Sequence, residues 1–218
     1  IHLWVDFSFF ARAGVRNVWK CMGCMPGTHG VLGPTMTGRY YTVDGTRYPS
    51  VTTIISATLP NPGIAAWKAR VGDAEARRVS EEATSWGTDI HALVELVNRG
   101  NRRVLGPGAL ELVAPYVAWF DANVDVVIGA EKLLVSRQHA FAGTADALAI
   151  VNGDRFPSVL DLKTSASALG MAEWRLQLAA YCIAAEEHCG LICRRRIIVR
   201  LSRKEPDTLH IHELPEEE

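Results

Sequence analysis

The sequence predicts an α/β fold in which a mixed central β-sheet is flanked by helices. Three observations predict it. Trp86, Ile90, Leu93, Val94 and Val97 recur at helical spacing. Three strand-like segments follow one another between residues 131 and 164, the last two separated by a stretch carrying Asn152-Gly153, a hairpin signal. A second long helical stretch, from about 167 to 188, precedes two further strand-like segments.

Taken in order, residues 1–35 lack periodicity and become dense in Gly, Pro and Cys toward their end, so they are expected to be a loose extension of a compact domain spanning 36–218. Their bias toward Arg12, Arg16 and Lys20 over Asp6 faintly suggests a transit peptide. "YYTVDGTRYPSVTTII" reads as a hairpin turning at Asp44-Gly45, then a short helix with Ser50 or Thr52 as its cap. "AAWKARVGDAEARR" mixes helix formers with basic residues, as a solvated helical face does. The helix from Ser80 to Asn98 carries His91 beside its apolar stripe and ends before Gly100. Residues 108–122 form another amphipathic segment, which Pro115 should kink or divide. Strands are expected at 131–136, 143–151 and 159–164, the last two antiparallel. Gly190 stops the long helix that follows, and "RRRIIVRLSR" and "TLHIHEL" form two closing strands joined by the turn "KEPD".

Composition narrows the class. The 218 residues, 48% hydrophobic and 22% charged, suffice for one well-cored domain. A net charge of −1 excludes coating of nucleic acid by bulk positive charge, though not a local basic groove. No apolar run approaches the ~20 residues that span a bilayer, so a soluble protein with no membrane partner is expected. Five cysteines argue for a reducing compartment rather than a disulfide framework, with the cytoplasm as the default location.

Chemistry concentrates around "SVLDLKTS" (158–165). In a strand, Asp161 and Lys163 leave on the same face as Val159. Asp146, in "GTADALAIV", shares its face with Leu148 and Ile150. A turn at 152–153 sets Asp146 opposite Asp161, with Cβ atoms about 5 Å apart. Buried carboxylates need partners, and two at that separation can share a hard cation at ~2.0–2.1 Å for Mg²⁺ while a lysine orients or deprotonates a water. Any isolated D-x-K triplet is far more often a surface ion pair, so the order of motifs carries the argument.

"GTDIH" (87–91) on a helix, Glu131 opening a strand, "GTAD" (143–146), "DLKTS" (161–165) and "QLAAY" (177–181) on the next helix together resemble the PD-(D/E)XK nucleases, specifically the RecB-like exonuclease branch. "YPSVTTII" followed by "AAWKAR" is similar to the opening signature of mitochondrial genome maintenance exonuclease and its phage relatives. The resemblance covers about residues 40–202. It implies a restriction-endonuclease-like core that hydrolyses DNA phosphodiester bonds with Mg²⁺ or Mn²⁺, on single strands or free ends, in replication, recombination or repair. By that resemblance His91, Asp146, Asp161 and the main-chain carbonyl of Leu162 are metal ligands, Lys163 positions or activates water, and Glu131 contacts the metal through water. Gln177 and Tyr181 lie next to the active site and the nucleic-acid strand, where Thr164, Ser165, Ser50 and Thr52 also face the DNA. A structure-specific or flap endonuclease on the same core, and a silent nucleic-acid-binding module, are the alternatives. The implied location is a bacterial or phage-infected cytoplasm, with the mitochondrion as the alternative; protein partners are not legible.

Other features point elsewhere. Cys21-x-x-Cys24 is half of a zinc motif, and Cys182, Cys189 and Cys193 depart from the spacing of the iron–sulfur clusters that some RecB-like nucleases hold. His210 and His212 share a strand face and read as a solvated hairpin. Lys68, Arg70, Arg77, Arg78, Arg99, Arg102, Arg103 and Arg194 to Arg196 are available to line a phosphate channel, and Trp67, Trp86 or Trp174 to stack on a base, although solvated faces and core packing are the ordinary uses.

Overall fold

A computed structural model describes residues 38–59, 62–166, 168 and 170–214. The expected extension, with Cys21 and Cys24, lies outside the described residues. Strand β1 (Tyr40–Val43) turns at Asp44-Gly45 into β2 (Thr46–Pro49), as the sequence predicts. Helix α1 (Val51–Thr58) follows, capped by Ser50, whose hydroxyl accepts from the Thr53 amide at 3.0 Å. The basic stretch resolves into α2 (Pro62–Val71) and the first turns of a 26-residue helix, α3 (Asp73–Asn98). Gly72, at φ +84°, separates the two.

Pro115 divides the next segment as expected, into α4 (Pro107–Leu112) and α5 (Ala114–Asn123). Strand β3 (Val124–Ser136) begins seven residues before the expected start at Glu131. The chain passes from α5 into β3 with no turn residue between them, and Val124, Val126, Val127 and Ile128 supply the β-branched surface that suits a strand. Strands β4 (Phe141–Val151) and β5 (Ser158–Lys163) flank the Asn152-Gly153 stretch, and α6 (Met171–Cys189) stops at Gly190. Strands β6 (Arg195–Ser202) and β7 (Glu205–Leu214) turn at Arg203-Lys204, so "KEPD" is not the turn. Pro206 and Asp207 instead sit inside β7, where an edge strand tolerates a missing backbone donor.

The five-stranded sheet runs β3-β4-β5-β6-β7, with β5 and β6 parallel and every other pair antiparallel. This is the mixed sheet flanked by helices that the sequence predicts. Alternation along the strands feeds two cores. Ala147, Ala149, Leu160, Leu162, Ile197 and Val199 pack with Ile90, Val94 and Val97 of α3 and with Tyr116 and Phe120 of α5. Leu148, Val159 and Ile198 face the other way, onto Trp174, Leu178, Tyr181 and Ala185 of α6. Fully burying a Leu, Ile or Val contributes roughly 1.5–3 kcal/mol, so burial on both faces holds the sheet to its helices. Among the described residues, no helix is long and apolar enough to cross a membrane.

Candidate functional site

The site forms where β4 and β5 part. Their ladder holds the expected register over three pairs, Ala149 with Ser158, Leu148 with Val159 and Ala147 with Leu160, and stops one step short of Asp146 and Asp161. Beyond the last pair the Leu162 N–H takes no β4 carbonyl. It donates instead to Asp146 Oδ2 at 2.6 Å, so the Asp146 carboxylate fills the fork between the strands. The other Asp146 oxygen is 3.2 Å from Nδ1 of His91 on α3.

Glu131 completes a group. It lies on β3 between Ala130, paired with Ala147, and Lys132, paired with Ala145, and so stands level with Asp146. Its backbone leaves the strand conformation, with φ at +48°. Ordinary side chains occupy that region at a cost of about 1–3 kcal/mol, and such strain clusters at functional sites. One ligand atom each from His91, Glu131 and Asp146 lies within 4.8 Å of the others. The electrostatics record the crowding. Burial first, then the charges of Asp146 and Glu95, push the Glu131 carboxyl up to about 7 from its ordinary 4.5. For His91, burial works against the imidazolium, yet the Asp146 hydrogen bond and the charges of Asp146, Asp161 and Glu131 outweigh it and raise its pKa.

Asp161 belongs to an adjoining group. Its side chain is 4% exposed and lies 2.6 Å from Lys163 Nζ. Gln177 on α6 bridges the two: its amide oxygen accepts from Lys163 Nζ at 2.8 Å, and its Nε2 donates to Asp161 Oδ1 at 3.0 Å and to Tyr181 Oη at 3.0 Å. Burial first, opposed by the Lys163 charge and reinforced by that of Asp146, leaves the Asp161 pKa raised to about 6. Gln177 is therefore a buried linker rather than a solvated residue. Glycines make room for this group. A Cβ on Gly143 would fall 2.4 Å from Cε1 of Tyr181, and one on Gly87 would fall 2.9 Å from Oγ1 of Thr164.

Every residue that the resemblance implies for the site lines one cleft of about 760 Å³: Ser50, Thr52, His91, Glu131, Asp146, Asp161, Leu162, Lys163, Thr164, Ser165, Gln177 and Tyr181. Within it, His91 and Asp146 gather with Glu131, whereas Asp161 is held by Lys163 and Gln177. Leu162 uses its amide on Asp146. Ser50 is 2% exposed, and its hydroxyl serves the α1 cap and the hydroxyls of Thr52 and Thr53.

Several of the basic residues available for a phosphate channel are held in ion pairs instead. Arg78 pairs with Glu75 and Glu82, Arg99 with Glu95, Arg102 with Asp121, and Arg195 with Asp154 and Glu213. Lys68 and Arg77 line a separate groove beside α2 and α3. Trp174 does line the cleft, while Trp86 packs against the α3 core. His210 pairs with Glu205, and Cys182 and Cys189 on α6 and Cys193 just after it pack against the core under that helix.

Sequence reading missed several contributors. Arg39, Tyr41, Glu95 and Thr144 also line the cleft. Buried Tyr116 donates to Asn98 Oδ1 at 2.5 Å, and Asn98 Nδ2 lies 3.5 Å from the Asp146 carbonyl, which links α5 and α3 to the strand bearing the carboxylate. An asparagine at the end of an apolar helical stripe was the available signal for that link.

Imidazole nitrogens and carboxylate oxygens are both ligands of divalent cations, and a cation relieves the cost of burying carboxylates close together. The residues present therefore fit a divalent metal. No family model matches the sequence, and no curated protein matches it.

Proposed function

We propose that this protein is a divalent-metal-dependent DNA exonuclease with a restriction-endonuclease-like core, hydrolysing phosphodiester bonds on single strands or free DNA ends. One observation carries the reading. A histidine and two carboxylates, within 4.8 Å of one another, open onto the same cleft as a lysine held by a third carboxylate and an amide. That combination suits hydrolysis of a phosphodiester better than binding alone.

His91, Glu131 and Asp146 would hold the cation, with Asp161 beside them. A bound Mg²⁺ or Mn²⁺ polarises a phosphoryl oxygen and lowers the pKa of water. The chain's own residues do the positioning. Asp161 and Gln177 fix the Lys163 ammonium from two sides, which suits it to hold an attacking water in line with the phosphorus. Asp146 is fixed in turn by the Leu162 amide and His91. Thr164 and Ser165, at the end of β5, offer hydroxyl donors to phosphate oxygens.

End-labelled linear DNA and circular single-stranded DNA, each incubated with Mg²⁺, with Mn²⁺ or with chelator, test this reading. Metal-dependent shortening of the linear substrate with the circle intact is the expected result. Cleavage of the circle would make the enzyme an endonuclease, and no cleavage of either with metal would overturn hydrolysis.

A further inference from the structure

The charges around the cleft do not balance for a polyanionic substrate. Four carboxylates line it, Glu95, Glu131, Asp146 and Asp161, against two permanent cations, Arg39 and Lys163. Lys163 is taken up by Asp161 and Gln177. That leaves Arg39, and among the described residues no carboxylate forms an ion pair with it.

Arg39 stands on a fixed base. Its N–H donates to Thr53 Oγ1 at 2.8 Å, and its carbonyl accepts from the Ser50 amide at 2.8 Å and from the Thr53 hydroxyl at 3.1 Å. The backbone is thus tied to the start of α1 while the side chain is exposed. Its guanidinium lies 4.9 Å over the Tyr41 ring, a stacking that orients the planar fork and leaves its edge donors for a ligand. Tyr41 in turn shares a hydrogen bond of 3.1 Å with Thr144, two residues before Asp146 on β4. An exposed, stacked guanidinium with no ion pair among the described residues, at the rim of an acid-rich cleft, matches the planar, bidentate recognition of a phosphodiester.

We infer that Arg39 is the residue that holds a backbone phosphate of the bound DNA strand, away from the phosphate being cut, an inference that rests on the nuclease reading above. It sets affinity for substrate rather than the rate of the chemical step. Lys163 is thereby left free of that duty.

Steady-state cleavage of single-stranded DNA with Mn²⁺, measured across a series of NaCl concentrations, tests it with wild type, Arg39→Gln and Arg39→Lys. Losing one charge-assisted contact should raise KM roughly tenfold in Arg39→Gln with kcat little changed. The slope of log KM against log salt should become shallower by about 0.7, the share of one phosphate on a single strand. Arg39→Lys should restore the slope while recovering only part of KM, because an ammonium cannot make the bidentate contact. Wild-type KM and slope in Arg39→Gln, or a fall in kcat and melting temperature with the slope unchanged, would overturn the assignment and leave the nuclease reading standing. Absence of cleavage by the wild type would remove both.

Discussion

The side-chain oxygen of Gln177 accepts from Lys163 Nζ at 2.8 Å while its nitrogen donates to Asp161 at 3.0 Å, so one amide from α6 ties together the ends of the "DLK" triplet on β5. Neither a purely accepting nor a purely donating side chain can replace it. Gln177→Leu should lower kcat by on the order of tenfold to a hundredfold, the range expected when a positioning contact is lost. Gln177→Glu should keep the lysine contact but set a second carboxylate against Asp161, driving the Asp161 pKa higher. A pH–rate profile whose acid limb moves upward in Gln177→Glu, and less in Gln177→Leu, which loses the donor to Asp161 without adding a charge, is the expected signature.

Lys163 and Asp161 are a buried pair with unequal exposure, 18% against 4%, and truncating the lysine strands the deeper partner. Removing one member of such a pair costs about 3 kcal/mol or more. Lys163→Ala should therefore lose both cleavage and stability. The double variant Asp161→Asn/Lys163→Met should recover much of the melting temperature and none of the activity. Thermal melts beside a nuclease assay separate the two losses, and a Lys163→Ala protein that cuts DNA at the wild-type rate would refute the role given to the lysine.

Much of this arrangement is legible in the sequence because its signals are local. Asp44-Gly45 turns the first hairpin, Pro115 divides two helices, and the turn after Val151 sets the register of β4 and β5. What escapes is tertiary. No local chemistry marks Glu131 for φ +48°, a conformation favoured by Gly and Asn, and only the surrounding sheet imposes it. Nor does residue spacing reveal that the β4–β5 ladder stops before Asp146, which frees its carboxylate to fill the fork. The first seven residues of β3 are hidden for a simpler reason, since the helix before them ends without Gly, Pro or an intervening loop.

Gly143 lies flat beneath Tyr181, and a methyl group there would sit 2.4 Å from Cε1 of a ring that is itself 4% exposed. A packed ring cannot swing aside as an exposed chain end can. Gly143→Ala should cost about 1–3 kcal/mol through overpacking and should weaken cleavage by moving Tyr181 and, through it, Gln177. Pairing it with Tyr181→Ala should give a total loss smaller than the sum of the single losses, since the clash disappears with the ring. Additive losses would mean that the two residues do not press on each other.

Glu131 has the clearest dependence on pH and metal. Its folded pKa of about 7 lies above its ordinary 4.5, so between those values the folded protein holds a proton that the unfolded chain has released. Stability tied to this group is present below pH 4.5 and is lost as pH rises through about 7. The metal-free protein should therefore melt at progressively lower temperature as pH rises across that window, once the change common to Glu131→Gln is subtracted. The variant lacks the titrating carboxyl, so its melting curve should be flatter there and its metal-free melting temperature at neutral pH higher than that of the wild type. Divalent cation should act unequally on the two proteins. Mn²⁺ at neutral pH should raise the wild-type melting temperature by replacing carboxylate repulsion with ligation, and should raise that of Glu131→Gln less. Equal shifts with Mn²⁺ in both proteins would place the ion away from Glu131.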